Sequence, residues 1–274
     1  MQDNYIEVNG LNIRYWVMGD GSPIILVHGL AGSIELWENN IKPISKQHLV
    51  YAFDLPWFGH SDKPRVEPSL CYMARFIKDF MTSQGLEHAT LVGNSLGGAI
   101  CMQFAVQFPD KLDKLILVDS AALGQEVHFM LRLMAIPILG ELMSTTSKRG
   151  TETFLRQVVF YNPKFVTDEW LDKILKVTRT REARKSSLII TRTSIDFRGQ
   201  RLIKIMPLIN KLPQIKAPTL IIWGAQDKVI PVAHAYVGLK MIPDARLHIF
   251  EECGHLPMIE KANEFNKLVL DFLD

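Results

Sequence analysis

The chain has 274 residues, of which 47% are hydrophobic, and its formal net charge is +2 at pH 7. A chain of this length can bury enough apolar surface to fold as one large domain, so it needs neither disulfides nor a structural metal for stability. Acidic and basic residues are interspersed through most of the chain, which offers no extended cationic surface and argues against nucleic acid as a partner.

The N-terminal segment MQDNYIEVNG has neither the basic nor the apolar region of a secretory signal. No apolar run reaches the length of about 18 residues that a membrane span needs, so we expect no exported or membrane-spanning segment. The cysteines Cys71, Cys101 and Cys253 lie far apart and form no CxxC motif or Cys/His cluster. We therefore expect reduced thiols in a cytoplasmic protein.

Short β-rich apolar segments alternate with longer helical patterns through much of the chain. This alternation predicts a mostly parallel sheet that is covered by helices on both faces. The runs IILV, LILV and LIIW are continuously apolar, as expected for strands buried on both faces. Helices are predicted over residues 69–85 and 99–109. The predicted strands are YIEV (5–8), IRYWVM (13–18), PIILVH (23–28), LVYAFD (49–54), ATLVGN (89–94), LILVD (115–119), TLIIWG (219–224) and RLHIF (246–250).

The segment GNSLGG, residues 93–98, lies between a predicted buried strand and an apolar helix pattern. In a G-x-S-x-G elbow a strand turns so sharply into a helix that side chains two positions away from the serine would clash. Gly93 and Gly97 meet that steric demand around Ser95. The bare pattern is weak, but the flanking strand and helix strengthen it, so Ser95 is the candidate nucleophile.

A serine hydroxyl needs a histidine base, and that base is usually oriented by a carboxylate. WGAQDKVIP places Asp227 after a predicted buried strand, and FEECGHLP places His255 after the last strand. The chain order of nucleophile, acid and histidine is then that of a serine triad on an α/β sheet, with both partners at strand carboxyl ends. Asp119 also ends a strand and is the second choice for the acid.

An acyl-transfer site also requires donors that face the developing oxyanion. The backbone N–H of Leu96, at the start of the predicted helix, is one candidate. The other is the backbone N–H of Leu30 in HGLAGS, where Gly29 lets the backbone approach the substrate. Since backbone amides supply the hydrogen bonds, the apolar side chains at these positions are no obstacle.

The rhythm of strands stops after Asp119 and resumes only at APTLIIWG. We expect residues 1–120 and 209–274 to form the core and residues 121–208 to form an inserted helical lid. FMLRLMAIPILGELM (129–143) has helical apolar spacing until Pro137 and is expected to pack over the core; an acyl-binding wall or a lipid-contacting surface is the alternative. The basic run RTREARKS (179–186) is typical of a solvated helix face, although it could also hold an anionic substrate.

Five motifs together make a specific pattern: HGLAGS (28–33), DLPWFGHSDKP (54–64), GNSLGG (93–98), APTLIIWGAQDKVIP (217–231) and ECGHLP (252–257). With them the whole chain resembles the α/β-hydrolase fold family. The resemblance implies a mostly parallel eight-stranded sheet flanked by helices, with a lid, and gives Ser95, Asp227 and His255 the roles of a catalytic triad. Relatives usually have glycine at the position of Trp57, which either covers the loop or narrows the pocket.

Fold alone does not fix the reaction. PDARLHIFEECGH, NEFNKLVLDFL and Asn94 are similar to the meta-cleavage-product hydrolases, which cut carbon–carbon bonds in dienoic keto acids. Those enzymes usually carry tryptophan at the position of Leu256, and a rough register puts Ile174 at the place of their substrate-binding lid arginine. These departures favour a carboxylesterase for small to medium apolar acyl groups. Gly29, Asn94, Trp57 and Leu256 are the expected substrate contacts.

The alternatives to the carboxylesterase are the carbon–carbon hydrolase, a monoacylglycerol-type lipase and, least favoured, a non-catalytic binding protein. Dehalogenases and epoxide hydrolases of this fold use aspartate as nucleophile, so Ser95 argues against both. No HExxH-like pair occurs, and the triad chemistry requires neither a metal nor an organic cofactor. The expected partner is a small-molecule ester or related carbonyl compound, and the sequence leaves a homo-oligomer open.

Overall fold

The computed structural model describes residues 1–144, 147–178 and 180–274. Within these residues an eight-stranded sheet forms the centre of the molecule, with all eight predicted strands in it. Their bounds differ from the sequence patterns by a few residues at most. The strands of this sheet are β1 (Asn4–Val8), β2 (Leu11–Met18), β3 (Pro23–Val27), β4 (Leu49–Phe53), β5 (Ala89–Asn94), β6 (Leu112–Val118), β9 (Thr219–Gly224) and β10 (Ala245–Phe250).

The spatial order of the strands is β1-β2-β4-β3-β5-β6-β9-β10. β2 is antiparallel to both of its neighbours, whereas the pairs from β4 through β10 are all parallel. The central strands β3, β5, β6 and β9 are buried on both faces, which explains why their sequences are continuously apolar. Their carboxyl ends meet at one edge of the sheet, so loops that are distant in sequence come together there.

Helices cover both faces of the sheet. α2 carries apolar residues on one face, and Ser69 caps its N-terminus by accepting a hydrogen bond from the Tyr72 N–H at 3.2 Å. α3 begins at Leu96, three residues earlier than predicted. The prediction began late because Gly97 and Gly98 weaken the helical pattern, whereas tertiary packing holds both glycines in the first turn. The helices of the core are α1 (Glu38–Ile44), α2 (Leu70–Ser83), α3 (Leu96–Gln107), α10 (Ala233–Met241), α11 (Pro257–Glu260) and α12 (Ala262–Leu273).

Residues 121–208, which we call the lid segment, connect β6 to β9 and are mainly helical. They also contain a two-stranded hairpin, β7 (Ile195–Asp196) with β8 (Gly199–Gln200), that the sequence did not predict because two-residue strands show no alternation. The helices are α4 (Phe129–Ala135), α5 (Leu139–Ser144), α6 (Lys148–Phe154), α7 (Asp168–Thr178), α8 (Arg181–Ser194) and α9 (Leu202–Ile209).

The predicted pattern over residues 129–143 is split into α4 and α5, as the position of Pro137 suggested. The predicted basic run begins at Arg179, which lies outside the described residues; its remainder belongs to the start of α8. None of the described helices combines the length and apolarity needed to cross a bilayer. The assignment of the chain to a core and a lid at residues 120 and 208 stays a prediction.

Candidate active site

Ser95 lies in a strained turn between β5 and α3. Its backbone has φ 55° and ψ −118°, a conformation that non-glycine residues rarely adopt. The turn is held by hydrogen bonds from the Ser95 N–H to the Val118 carbonyl at 2.9 Å and from the Ala121 N–H to the Ser95 carbonyl at 3.0 Å. β6 and the residues after it therefore fix the position of the serine from the side opposite to β3.

The two glycines of the elbow leave room for close backbone contacts. A Cβ atom at Gly93 would lie 2.4 Å from the Gly97 carbonyl oxygen, and one at Gly97 would lie 2.3 Å from the Val27 carbonyl oxygen. Both distances are too short for any side chain. The steric reasoning that singled out these positions in the sequence thus agrees with the observed packing.

Asp227 and His255 form a buried hydrogen-bonded pair. The imidazole Nδ1 of His255 lies 2.7 Å from Oδ2 of Asp227, while Oδ1 accepts hydrogen bonds from the N–H groups of Val229 at 2.7 Å and Ile230 at 3.1 Å. The Asp227 side chain is fully buried. With Nδ1 engaged by a carboxylate, the imidazole is oriented so that its Nε2 is available as a base.

The loop that carries His255 is held on several sides. The His255 N–H donates to the Val159 carbonyl at 2.8 Å, in a π-helical turn of the lid segment, Leu155–Val159. The side-chain amide of Asn94 donates to the carbonyls of Val118 and His255, both at 3.3 Å. Asn94 therefore links the elbow to the histidine loop, and its role as a substrate contact stays a prediction.

Glu260 is a buried carboxylate that sequence reasoning missed. It accepts hydrogen bonds from the N–H groups of Gly254 at 2.7 Å and Asn162 at 2.8 Å, and it thereby ties the residue before His255 to the lid segment. Burial raises the pKa of Glu260. Since a glutamate at the end of a short helix is common, nothing in the sequence distinguished this one.

Asp119 lies beside the pair. Its carboxyl, Asp227 and His255 each offer one potential ligand atom, all within 4.8 Å of one another. Oδ1 of Asp119 accepts a hydrogen bond from the Gly224 N–H at 3.0 Å, and the side chain is fully buried. Burial, followed by the nearby Asp227 carboxylate, raises the pKa of Asp119 well above its ordinary value, which favours the neutral acid.

Among the residues that the structure describes, Asp119, Asp227 and His255 are the group best placed to hold a cation. The hydrogen bonds and protonation of these side chains nevertheless fit a metal ion poorly. Nδ1 of His255 and Oδ2 of Asp227 are hydrogen bonded to each other, and Oδ1 of Asp227 accepts hydrogen bonds from two backbone N–H groups. A neutral Asp119 is also a weak ligand, because metals bind the deprotonated carboxylate. The three side chains are therefore arranged to orient the imidazole of His255 rather than to bind a metal ion.

The HGLAGS loop passes close to the serine. A Cβ atom at Gly29 would lie 2.9 Å from Cβ of Ser95, so only glycine fits there. His28 holds this loop: its Nε2 accepts from the Leu55 N–H at 3.0 Å, so its Nδ1 carries the proton and donates to the Gly29 carbonyl at 2.8 Å. Burial lowers the pKa of His28, consistent with a neutral ring.

A cavity of about 670 Å³ lies between the core and the lid segment. Ser95, His255, Leu30 and Leu96 line it from the core side, and its walls are mainly apolar. This cavity holds the predicted nucleophile, base and oxyanion-loop residues together. The residues that sequence reasoning singled out as substrate contacts or as departures, and that line this cavity, are Gly29, Asn94, Ile174 and Leu256.

Arg184, on α8, also lines the cavity. Its side chain forms no ion pair or hydrogen bond with any other residue that the structure describes, and it is partly buried. A guanidinium in a mostly apolar cavity is suited to a carboxylate. Arg184 belongs to the basic run, which was expected to be a solvated helix face. The rough register had instead placed Ile174 at the position of the substrate-binding arginine.

Trp57 does not belong to the cavity. The structure places it in the loop after β4, 3% exposed, where its indole N–H donates to the Pro64 carbonyl at 3.0 Å and its ring packs edge-on against Tyr72. This placement agrees with the interpretation that Trp57 covers the loop, and its role as a substrate contact stays a prediction without support from the cavity. Its backbone φ of 77° accounts for the glycine that relatives usually have there.

Comparison with known proteins decides the family. The model of the alpha/beta hydrolase fold matches residues 22–262. The chain belongs to the α/β-hydrolase fold family. This α/β hydrolase is 33% identical over 276 residues to the 2-hydroxy-6-oxo-6-phenylhexa-2,4-dienoate hydrolase of Comamonas testosteroni, a match that covers 97% of this chain and 93% of the relative.

Two solved structures have similar folds. The meta-cleavage product hydrolase of Pseudomonas fluorescens IP01 superimposes on this α/β hydrolase with a TM-score of 0.84 and 26% identity, covering 98% of this chain and 97% of that one. A bacterial membrane phospholipase A gives a TM-score of 0.84 with 25% identity, covering 100% of this chain and 86% of that one. The fold predicted from the sequence is confirmed, and the chain is a hydrolase by family.

Proposed function

We propose that this α/β hydrolase cleaves the carbon–carbon bond of 2-hydroxy-6-oxo-hexa-2,4-dienoic acids, the products of meta ring cleavage. The observation that carries the proposal is Arg184, a cation without a carboxylate partner among the described residues, in the cavity that also holds Ser95 and His255. The similarity to hydrolases of such acids supports it. The sequence had favoured a carboxylesterase because Leu256 and Ile174 differ from the residues that such hydrolases usually carry, while the basic run remained open as a site for an anionic substrate.

The proposed fit places the two ends of the substrate on different groups. The C1 carboxylate pairs with the guanidinium of Arg184, and the C6 ketone lies at Ser95. The apolar walls, which include Leu256 and Ile174, receive the substituent on C6. A phenyl group is the natural occupant of such walls, since burying it gains hydrophobic free energy without leaving a polar group unpaired.

Cleavage begins from the keto tautomer, in which the proton of the 2-hydroxyl has moved to C5. His255, oriented by Asp227, takes the proton from Ser95, whose oxygen forms a bond to C6. The negative charge on the C6 oxygen is stabilised by the N–H groups of Leu30 and Leu96. When the C5–C6 bond breaks, its electron pair is delocalised through C4 and C3 to the 2-oxo oxygen, which takes the proton from His255.

The second half releases the acid. The dienol, 2-hydroxypenta-2,4-dienoate, leaves, and the acyl group remains on Ser95 as an ester. His255 then removes a proton from water, the hydroxide oxygen bonds to the acyl carbon, and Ser95 leaves with the proton from His255. The sum is one substrate and one water converted into a carboxylic acid and a dienol.

Replacing Arg184 by Gln tests the substrate class. For the phenyl dienoic acid we expect kcat/KM to fall about a hundredfold, since a charge-assisted contact to the carboxylate is lost. The methyl ester of that acid lacks the negative charge and should be affected far less. Lys185→Gln, one residue along the same helix and exposed, is the matched control. Equal losses with the acid and its methyl ester would contradict the proposal.

A carboxylesterase is the second candidate. The same acyl-enzyme chemistry cleaves esters. Leu256 and Ile174 both present apolar surface to the cavity. The carbon–carbon hydrolases usually have tryptophan at the position of Leu256 and, by the rough register, arginine at that of Ile174. The similarity to a phospholipase A is compatible with an ester substrate and with the lipase alternative. The presence of Arg184 in the cavity is the reason that we place the dienoic acid first.

A further inference from the structure

The lid segment exposes most of the large apolar side chains that are exposed in the described residues. Ten of 16 such residues lie between positions 121 and 208, which is less than a third of the chain. Four of them are close in sequence: Phe197, Leu202, Ile203 and Met206 are 67%, 46%, 79% and 40% exposed. We call these four residues the docking patch. Surface clusters of this kind usually mark a site of contact.

The geometry of α9 places three members of the patch on one face. Leu202, Ile203 and Met206 occupy positions i, i+1 and i+4, which are neighbours on a helix, while Ile205 and Leu208 are buried on the opposite side. A surface helix that is apolar on both faces has an outer face without a packing partner of its own. Phe197 is at the tip of the β7–β8 hairpin, which leads directly into this helix.

Cations accompany these apolar side chains. Arg198, Arg201 and Lys204 are interleaved with the patch, whereas Asp196 is the one acidic residue in the sequence from 196 to 206. The carboxylate of Asp196 accepts a hydrogen bond from the Arg198 N–H, and the Arg198 guanidinium lies 5.2 Å from the centre of the Phe197 ring. Within the described residues, none of these three cations pairs with a carboxylate.

The charge of the whole chain is divided unevenly around this patch. Residues 121–208 contain 15 of the 31 lysines and arginines and 8 of the 29 acidic residues, so the lid segment carries +7 and the remainder −5. A cationic lid that bears exposed apolar side chains is complementary to a surface that is anionic and apolar beneath. A second copy of the chain is disfavoured as occupant, because two lids of like charge repel each other.

The patch is continuous with the cavity. Ile203 and Lys204 line the cavity that holds Ser95, and α4, which packs against the hairpin, exposes Phe129. We propose that the docking patch seats this enzyme on an anionic lipid bilayer. Its apolar side chains enter the boundary between headgroups and acyl chains, and Arg198, Arg201 and Lys204 meet the lipid phosphates.

Vesicle sedimentation with the full chain tests this inference and does not depend on which bond the enzyme cleaves. The probes are vesicles of phosphatidylcholine with phosphatidylglycerol and vesicles of phosphatidylcholine alone. We expect binding to the anionic vesicles that weakens with added salt and falls about tenfold or more in the double variant Phe197→Ser, Ile203→Ser. Arg198→Gln with Lys204→Gln should weaken it to a similar extent.

The matched control is the double variant Val66→Ser, Tyr236→Ser. It removes two exposed apolar side chains that lie outside the lid segment, and it should leave vesicle binding unchanged. Circular dichroism spectra establish that each variant is folded. Failure of the wild type to bind anionic vesicles would overturn the inference, as would equal binding by the patch variant. A dimer in light scattering that the patch variant dissociates would assign the patch to a second copy instead.

Discussion

The carboxyl groups of Asp119 and Asp227 lie side by side in the interior, and only the Asp227 carboxyl is hydrogen bonded to His255. Two adjacent carboxylates repel each other, so a buried pair shares its charge unequally. Asp227 accepts three hydrogen bonds, whereas one backbone N–H reaches Asp119. Burial and the nearby Asp227 raise the pKa of Asp119, and we infer that Asp119 carries the proton.

Exchanging each carboxyl for an amide separates their roles. Asp227→Asn should lower kcat by about four orders of magnitude, because the amide favours the wrong imidazole tautomer. Asp119→Asn replaces a neutral acid by a neutral amide of the same shape and should cost less than about tenfold in kcat. Steady-state kinetics with any substrate that the wild type hydrolyses measures kcat for both variants. The reverse ranking would make Asp119 the triad acid.

Stability should depend on pH through Asp119. Because its folded pKa is raised, the folded state keeps the proton while the unfolded chain loses it above about pH 4. The contribution of Asp119 to stability is therefore full below the unfolded pKa and is lost as the pH rises toward the folded pKa. The free energy of unfolding of Asp119→Asn relative to wild type should increase by up to about 1.4 kcal/mol per pH unit in that window.

Urea unfolding of both proteins at a series of pH values measures this difference. The exposed Asp110→Asn is the control and should show a nearly flat difference from wild type. A flat difference for Asp119→Asn as well would mean that Asp119 titrates alike in the folded and unfolded chains, and that our assignment of the proton is incorrect.

Removing the serine hydroxyl tests the nucleophile. Ser95→Ala should lower kcat by about a thousandfold or more, because the remaining oxyanion donors and binding groups cannot form the acyl-enzyme. The exposed Ser83→Ala is the matched control and should be as active as wild type. Turnover by Ser95→Ala close to the wild-type rate, with the fold intact, would exclude Ser95 from the chemistry.

The elbow should tolerate no side chain at Gly97. Gly97→Ala would place a Cβ 2.3 Å from the Val27 carbonyl oxygen, and relieving that overlap should cost roughly 3 kcal/mol in the free energy of unfolding. Gly10→Ala is the comparison, since Gly10 has φ 75° but open space around it, and should cost only about 1 kcal/mol. Similar costs at both positions would mean that the elbow relaxes enough to accommodate the Cβ atom, and that the overlap does not require glycine at this position.

The sequence predicted the fold well because the buried strands are apolar throughout and the elbow at Ser95 obeys a steric rule that glycine positions reveal. The lid was less predictable. The position of Arg184 in the cavity depends on how the lid helices pack, which local periodicity does not encode. The contact between Asp119 and Asp227 joins residues that are 108 positions apart. The choice between the two interpretations of Trp57 could not be made from the sequence, because its positive φ comes from the loop and leaves no trace in the hydrophobic pattern.

The carbon–carbon hydrolase and the carboxylesterase are distinguished by comparing kcat/KM for 2-hydroxy-6-oxo-6-phenylhexa-2,4-dienoate with kcat/KM for a chain-length series of p-nitrophenyl esters, with Ser95→Ala as the blank. We expect the dienoic acid to be turned over at least about tenfold more efficiently than the best ester, since only the dienoic acid uses Arg184. Efficient ester hydrolysis with the dienoic acid left untouched would contradict this expectation and identify the enzyme as a carboxylesterase.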